Sequence, residues 1–120
     1  MITLHYLQCS RSFRILWALE ELGMDYQVEY YQRSSSYAAP ESLKQIHPLG
    51  KAPILVDDEN VIVESAVILD YLQQQYDVKQ QFKPQQFKDQ LQYSYWMHYA
   101  EGSLMPLLVM TLVINNVSKH

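Results

Sequence analysis

The chain has 120 residues, 48% of them hydrophobic and 18% charged, which is enough for one compact domain with a packed core plus an appendage. Its net charge of −4 and the scattered positions of its nine Lys and Arg residues argue against nucleic acid or an anionic membrane as partner. A single cysteine, Cys9, excludes an internal disulfide and a multi-cysteine zinc site, and the cytoplasm is the expected location. The four histidines lack ligand-like spacing, so we expect no metal.

The N-terminal part of the chain alternates between strand and helix patterns. Side chains that alternate between apolar and polar predict strands over residues 2–7 and 26–31. Between them, leucine and isoleucine recur at helical spacing over residues 11–22, and Gly23 is expected to end that helix. The serine-rich stretch 32–39 predicts a loop, after which Pro40 fits the first turn of a short helix ending near Ile46.

The central part of the chain predicts a hairpin followed by helices. Two apolar runs, 54–56 and 61–63, flank four polar residues, which indicates a β-hairpin with a four-residue turn. Ser65 is expected to cap a helix with an apolar stripe. The polar stretch 78–85 predicts a linker, and helical spacing from Phe87 onward predicts a long helix.

In this order the elements predict an α/β protein with a thioredoxin-like βαβ-α-ββα domain over residues 1–77. The linker at 78–85 then leads into a helical segment over residues 86–120. The most apolar stretch of that segment, residues 104–114, contains Pro106 and is shorter than the roughly 20 residues that a membrane span needs. We therefore expect a buried helix there, with Pro106 bending or ending the helix before it.

Three motifs in this chain resemble those of one enzyme family. Residues 47–55, HPLGKAPIL, look like the NP-x-G-x-x-P-x-L stretch of cytosolic glutathione S-transferases. Glu64 and Ser65, followed by an apolar helix, are similar to the family's ESxAI element. Residues 10–17, SRSFRILW, resemble the first helix of a bacterial and fungal subgroup. The resemblance covers nearly all of residues 1–77, and it implies that residues 86–120 are the incomplete start of an all-helical second domain.

The resemblance implies a site for glutathione as co-substrate. Pro53 would follow a cis peptide bond, and the Ala52 backbone would pair with glutathione as an added strand does. The Ser65 hydroxyl and N–H would hold the γ-glutamyl carboxylate, Glu64 the ammonium group, and Lys51 the glycyl carboxylate. From the residues alone, Pro53 can simply open a strand, Ser65 can only cap a helix, and Lys51 can be solvated.

Three residues compete for the role of stabilising the glutathione thiolate, the nucleophile of the reaction. Ser10, counted back from Arg14, matches the serine of theta-like classes, and we rank it first. Cys9 matches the cysteine of the beta class and ranks closely behind, although a lone cysteine is often an inert packed residue. Tyr6 lies where tyrosine-type classes carry their tyrosine, and its alternative role is that of a core aromatic.

The expected function is glutathione transfer to a small electrophilic substrate by a homodimer. The alternatives are a glutathione-dependent thiol–disulfide or peroxide reductase, which Cys9 favours, and a non-catalytic interaction module. We expect Arg11 to steady the site or the dimer and Arg14 to pair structurally with an acidic residue. The resemblance also implies that Glu101 can reach across to a dimer partner, and the alternative for Glu101 is plain solvation. The unpartnered apolar tail indicates either a piece of a longer polypeptide, which we favour, or packing against a second copy.

Overall fold

The computed structural model describes residues 1–119, so His120, the last residue of the predicted helical segment, lies outside the described part. The chain divides into two compact units. The first unit comprises Met1–Val78, and the second begins at Lys79.

A four-stranded mixed sheet forms the centre of the first unit. Its elements are β1 (Ile2–Leu7), α1 (Ser12–Glu21), β2 (Tyr26–Tyr31), a 3₁₀ turn (Glu41–Gln45), β3 (Ile54–Asp57), β4 (Asn60–Val63) and α2 (Ser65–Tyr76). The strand order is β2-β1-β3-β4. β1 runs parallel to β2 and antiparallel to β3, which in turn is antiparallel to β4. This arrangement confirms the predicted thioredoxin-like α/β fold.

The core of this unit lies between one face of the sheet and the two helices. Side chains two residues apart on a strand share a face, and those three or four apart on a helix share a stripe. These periodicities bring together a cluster of aliphatic side chains that are at most 3% exposed: Ile2, Leu4, Ile15, Leu19, Leu55, Ile68 and Leu72. Burying each of them stabilises the fold by about 1.5–3 kcal/mol before the entropy cost. Leu43 of the 3₁₀ turn is also fully buried.

The hairpin turn is shorter than the sequence predicts. Asp57 pairs with Asn60 at the end of the ladder, so the turn consists of Asp58 and Glu59 alone, and the prediction of a four-residue turn is wrong. Asp57 is only 6% exposed because its carboxylate is held by the Tyr71 hydroxyl at 2.8 Å. A polar residue whose side chain is hydrogen-bonded can continue a strand. Asp58, with φ +51°, makes the tight turn instead.

The second unit is one helical run with an irregular turn inside it. α3 spans Phe87–Tyr99, a π turn spans Ala100–Leu104, and α4 spans Met105–Val117. The Met105 N–H donates to the Ala100 carbonyl, one residue further back than in an α-helix. Pro106 follows directly, at the start of α4, so the residue that lacks an N–H lies next to a turn whose hydrogen bonds are already irregular. One of the two expectations, that Pro106 ends the helix, is therefore wrong.

The α4 helix is exposed, so nothing within the described part of this chain provides the burial expected for its apolar residues. None of its residues is buried, because α4 continues the line of α3 instead of folding back on it. The combined helical run, Phe87–Val117, has 31 residues and is long and apolar enough to cross a membrane by length and composition. The helix is thus longer than the apolar stretch that the sequence indicates. Core helices of soluble proteins meet the same criterion, so the criterion alone assigns no membrane role.

Candidate functional site

The strand register gathers the predicted site residues at one end of the sheet. His5, near the end of β1, lies opposite Ile54, the first residue of β3. Ile54 in turn lies opposite Val63, the last residue of β4. The turn that follows β1, the segment that precedes β3 and the start of α2 therefore leave the sheet at the same end. They carry the predicted site residues Cys9, Ser10, Lys51, Ala52, Pro53, Glu64 and Ser65, whereas Tyr6 lies within β1 near its end.

The N-terminus of α2 differs from the prediction. Glu64, not Ser65, is the N-cap residue, and Ser65 is the first residue of the helix. The capping role predicted for Ser65 is therefore wrong, because its backbone is already helical. Ser65 is only 3% exposed, yet within residues 1–119 its hydroxyl has no hydrogen-bond partner. The hydroxyl oxygen is not fully enclosed by the protein. An uncommitted hydroxyl that still reaches the surface is suited to bind a ligand oxygen.

Glu64 has an unusual backbone conformation. Its φ of +71° and ψ of +120° lie in a region that residues with a Cβ rarely adopt, and such conformations concentrate at ligand-binding sites. The side chain is exposed and makes no capping hydrogen bond. The N-terminal N–H groups and helix dipole of α2 attract an anion, while the adjacent carboxylate attracts a cation. A ligand that carries both a carboxylate and an ammonium group on one carbon matches this pair.

The segment before β3 supplies a cation and a cis peptide bond. The Ala52–Pro53 peptide bond is cis, as the resemblance implies. Pro53 is buried, whereas Lys51 is exposed and, in the part of the chain that the structure describes, its ammonium group makes no hydrogen bond or ion pair. Lys51 is therefore available for a second carboxylate.

Ser10 lies at the centre of a small hydroxyl network in the turn after β1. Its Oγ is 2.7 Å from both the Leu7 carbonyl and the Ser12 Oγ, and it accepts the Ser12 N–H at 3.0 Å. Ser12 is fully buried and accepts the Leu7 N–H at 3.2 Å. Ser10 has one proton for two acceptors, so it can turn that proton towards a thiolate only by giving up one of these bonds.

The other two thiolate candidates occupy different environments. Cys9 is an exposed free cysteine with φ +50°, in the same turn as Ser10. Tyr6 is half-buried, packs against the core cluster and stacks on Tyr30, with ring centroids 5.6 Å apart. The Tyr6 environment fits the alternative of a core aromatic.

Two residues next to the predicted site could not be found from spacing. Arg33, in the predicted serine-rich loop, donates to the Gln8 carbonyl at 2.9 Å and to the Cys9 carbonyl at 3.2 Å. The His5 Nδ1 lies 2.9 Å from the Tyr31 hydroxyl, and burial lowers the pKa of His5, which favours its neutral form at pH 7. Neither contact has a signal in the sequence, since each joins residues at least 24 positions apart.

A shallow pocket of about 600 Å³ belongs to the second unit. It is lined by the linker around Phe82 and Pro84 and by α3 around Tyr93 and Trp96, and none of the predicted site residues lines it. Among residues 1–119, no three His, Cys, Asp or Glu side chains cluster in a way that could hold a metal ion.

Known proteins are similar to this chain in both sequence and fold. The family model of the glutathione S-transferase N-terminal domain matches residues 1–74. Glutathione S-transferase 3 of Schizosaccharomyces pombe is 44% identical over 110 residues, which are 90% of this chain and 44% of that protein. A crystal structure of a glutathione S-transferase from Actinobacillus pleuropneumoniae is 46% identical, with a TM-score of 0.77, over 80% of this chain and 46% of that one.

A third relative was solved with its ligand. The theta class glutathione S-transferase from Xanthomonas axonopodis pv. citri, with glutathione bound, is 26% identical, with a TM-score of 0.68, over 85% of this chain and 49% of that one. The chain thus spans about half the length of the relatives it matches. Because the domain model matches more than half of its residues, this chain belongs to the glutathione S-transferase family.

Proposed function

We propose that the first unit of this chain binds reduced glutathione and activates its thiol for attack on a small electrophile. The observation that carries this proposal is the start of α2. There, the uncommitted hydroxyl of buried Ser65 lies at a helix N-terminus, directly after the exposed carboxylate of Glu64. Glutathione fits these groups because its γ-glutamyl end bears a carboxylate and an ammonium group on one carbon.

The remaining groups would bind the rest of the tripeptide. Lys51 pairs with the glycyl carboxylate, and the backbone of Ala52, before Pro53, pairs with the cysteinyl main chain. The thiol then points to the turn that carries Cys9 and Ser10, just before α1. An unperturbed thiol has a pKa of about 8.5 and is mostly protonated at neutral pH. Hydrogen-bond donors and the α1 dipole lower this pKa and thereby favour the thiolate. The thiol proton passes to solvent, and a lone pair of the thiolate sulfur forms the new bond to the electrophilic carbon. The electron pair displaced at that carbon leaves with a leaving group or, in an addition, moves from the π bond to the neighbouring atom and is protonated by solvent.

Ser10 is the first candidate for the side-chain donor. Its hydroxyl is held in the turn by Leu7 and Ser12, and rotation about the Ser10 Cβ–Oγ bond redirects the proton. The hydroxyl would exchange a neutral carbonyl acceptor for an anionic sulfur. Hydrogen bonds to charged groups are roughly twice as strong as neutral ones, so this exchange is favourable.

A glutathione-dependent thiol–disulfide or peroxide reductase is the second candidate function, because Cys9 is an exposed free thiol in the same turn. A non-catalytic interaction module is less well supported, since such a module has no need of Glu64, Ser65 and Pro53 together. We also infer a cytoplasmic, detoxifying homodimer from the family, and the free cysteine suits a reducing compartment.

Nuclear magnetic resonance titration of the isotope-labelled chain with reduced glutathione tests the proposed site. We expect the backbone amides of Cys9, Ser10 and Ser65 to shift with a common saturation curve, and those of α4 to stay in place. Shifts confined to the pocket around Phe82 and Trp96, or no shifts at all in a folded chain, would contradict the proposal.

A further inference from the structure

Arg33 ties the turn after β1 to the serine-rich loop. Its guanidinium donates to three backbone carbonyls: Nε to Gln8 at 2.9 Å, Nη2 to Cys9 at 3.2 Å and Nη1 to Tyr37 at 3.0 Å. The Tyr37 ring also lies against the guanidinium, with Cζ 5.1 Å from the ring centroid. One side chain thus fixes two consecutive peptide groups of the turn that carries the candidate thiolate donors.

Fixing these carbonyls also fixes the N–H groups on the same peptide planes. In a planar trans peptide, the N–H points away from the preceding C=O. The carbonyls of Gln8 and Cys9 both point at one guanidinium, so the N–H groups of Cys9 and Ser10 both point away from it. Within residues 1–119, neither N–H donates a hydrogen bond. Consecutive N–H groups beside a left-handed residue, here Cys9 with φ +50°, form an anion-binding concavity.

The loop that holds Arg33 is itself well ordered by hydrogen bonds. The Ser34 N–H donates to the Ala38 carbonyl at 3.0 Å, and the Tyr37 N–H to the Ser34 carbonyl at 2.9 Å. The Ser34 Oγ accepts the Ala38 N–H at 3.1 Å. This closed loop keeps the Tyr37 carbonyl in place as the third acceptor of the guanidinium. The serine-rich stretch therefore helps to hold Arg33 in place.

We propose that Arg33 is a positioning residue that aims the N–H groups of Cys9 and Ser10 at the thiolate of bound glutathione. This inference rests on the proposed function above and assigns a role to a residue outside the binding groups already named. The planar fork of arginine reaches three fixed acceptors at once, which the single ammonium group of a lysine does not. Geometry, more than charge, is therefore the property that the site needs at this position.

The test measures the pKa of the glutathione thiol in the complex, from the ultraviolet absorbance of the thiolate as the pH is raised. It compares the unmodified chain with Arg33→Gln, Arg33→Lys and the control Lys88→Gln, which removes an exposed positive charge from the second unit. The affinity for S-methylglutathione, which has no ionisable thiol, reports separately on the rest of the site. Arg33 is only half-buried, and a thermal melt of each variant checks folding.

We expect both Arg33 variants to raise the bound thiol pKa by about one unit, which is a tenfold change in the thiolate equilibrium. S-methylglutathione affinity should stay within about twofold in all variants. An unchanged thiol pKa, a wild-type pKa in Arg33→Lys, or an equal loss of affinity for both ligands would each overturn the positioning role. If the unmodified chain binds neither ligand, the proposed function fails, and this inference fails with it.

Discussion

The Tyr71 hydroxyl donates a 2.8 Å hydrogen bond to the Asp57 carboxylate and thereby ties helix α2 to the end of strand β3. Tyr76, further along the same helix, donates to the same carboxylate oxygen. The bond from Tyr76, more than the bond from Tyr71, holds the pKa of Asp57 below its ordinary value. In turn, the bond to Asp57 and burial raise the pKa of Tyr76 to about 12. These three groups lie at the end of the sheet away from the proposed site, so they stabilise the fold without touching glutathione.

Removal of the Tyr76 hydroxyl should change how stability depends on pH. A tyrosine whose pKa is raised by folding stabilises the protein fully below its unfolded value, near 10, and loses that contribution as the pH rises through about 12. Tyr76→Phe should therefore cost about 1–2 kcal/mol of unfolding free energy at pH 7 and weaken the alkaline decline. Urea unfolding at pH 7 and above pH 10 measures both effects. The control Tyr30→Phe alters an exposed, stacked ring and should change neither.

The hydrogen bonds to Asp57 should also make stability depend on pH in the acid range. Because folding lowers the pKa of Asp57, its contribution is present above the ordinary aspartate value, about 3.9, and is lost as the pH falls through the lower folded value. Asp57→Asn should cost about 2 kcal/mol at pH 7 and little in strong acid. A loss of the same size at both pH values in urea unfolding would mean that the carboxylate charge is irrelevant.

Gly50 should tolerate alanine less well than Gly23. Both glycines have positive φ, at +58° and +64°, so alanine costs about 1 kcal/mol at either position. At Gly50 the added Cβ would also come within 2.7 Å of the Lys44 Cγ, whereas nothing lies within 4 Å of the corresponding atom at Gly23. We expect Gly50→Ala to lower the melting temperature more than Gly23→Ala does. Equal shifts would show that the Lys44 side chain moves aside without cost.

Ser10 and Cys9 should separate two kinds of chemistry. Ser10→Ala removes the proposed donor and should raise the thiol pKa of bound glutathione by about one to two units, since a bond to a charged group contributes about 1.5–3 kcal/mol. Cys9→Ala should leave that pKa unchanged and abolish only the formation of a mixed disulfide with oxidised glutathione. Thiolate absorbance and mass spectrometry, respectively, report the two outcomes. If Cys9→Ala raises the pKa and Ser10→Ala does not, the assignment must be reversed.

The sequence predicts most of the fold because the strands and helices follow local periodicity. The strand bounds Ile2–Leu7 and Tyr26–Tyr31 are those that the alternating pattern predicts, and α1 differs by one residue at each end. The errors arise where distant contacts decide. Asp57 looks like a turn residue until the tyrosines of α2 are brought against it, and the π turn before Pro106 has no local signature.

The candidate site is predictable in part for the same reason. The residues that lie in family motifs are readable from the sequence, and the strand register brings them to one end of the sheet. The role of Arg33 in holding the turn after β1 cannot be predicted from the sequence, because Arg33 binds the carbonyls of Gln8 and Cys9 across 25 and 24 positions. Backbone carbonyls accept hydrogen bonds whatever their side chain, so no residue type marks such a contact.

The most direct test of the glutathione site is calorimetric titration of reduced glutathione into the chain, compared with Ser65→Ala and with the control Ser42→Ala, an exposed serine of the 3₁₀ turn. We predict that the chain and the control bind with equal affinity, and that Ser65→Ala binds about 30-fold more weakly, for a lost bond of about 2 kcal/mol to a carboxylate. Equal affinity of all three proteins, or no binding by the folded chain, would contradict the proposed site at the start of α2.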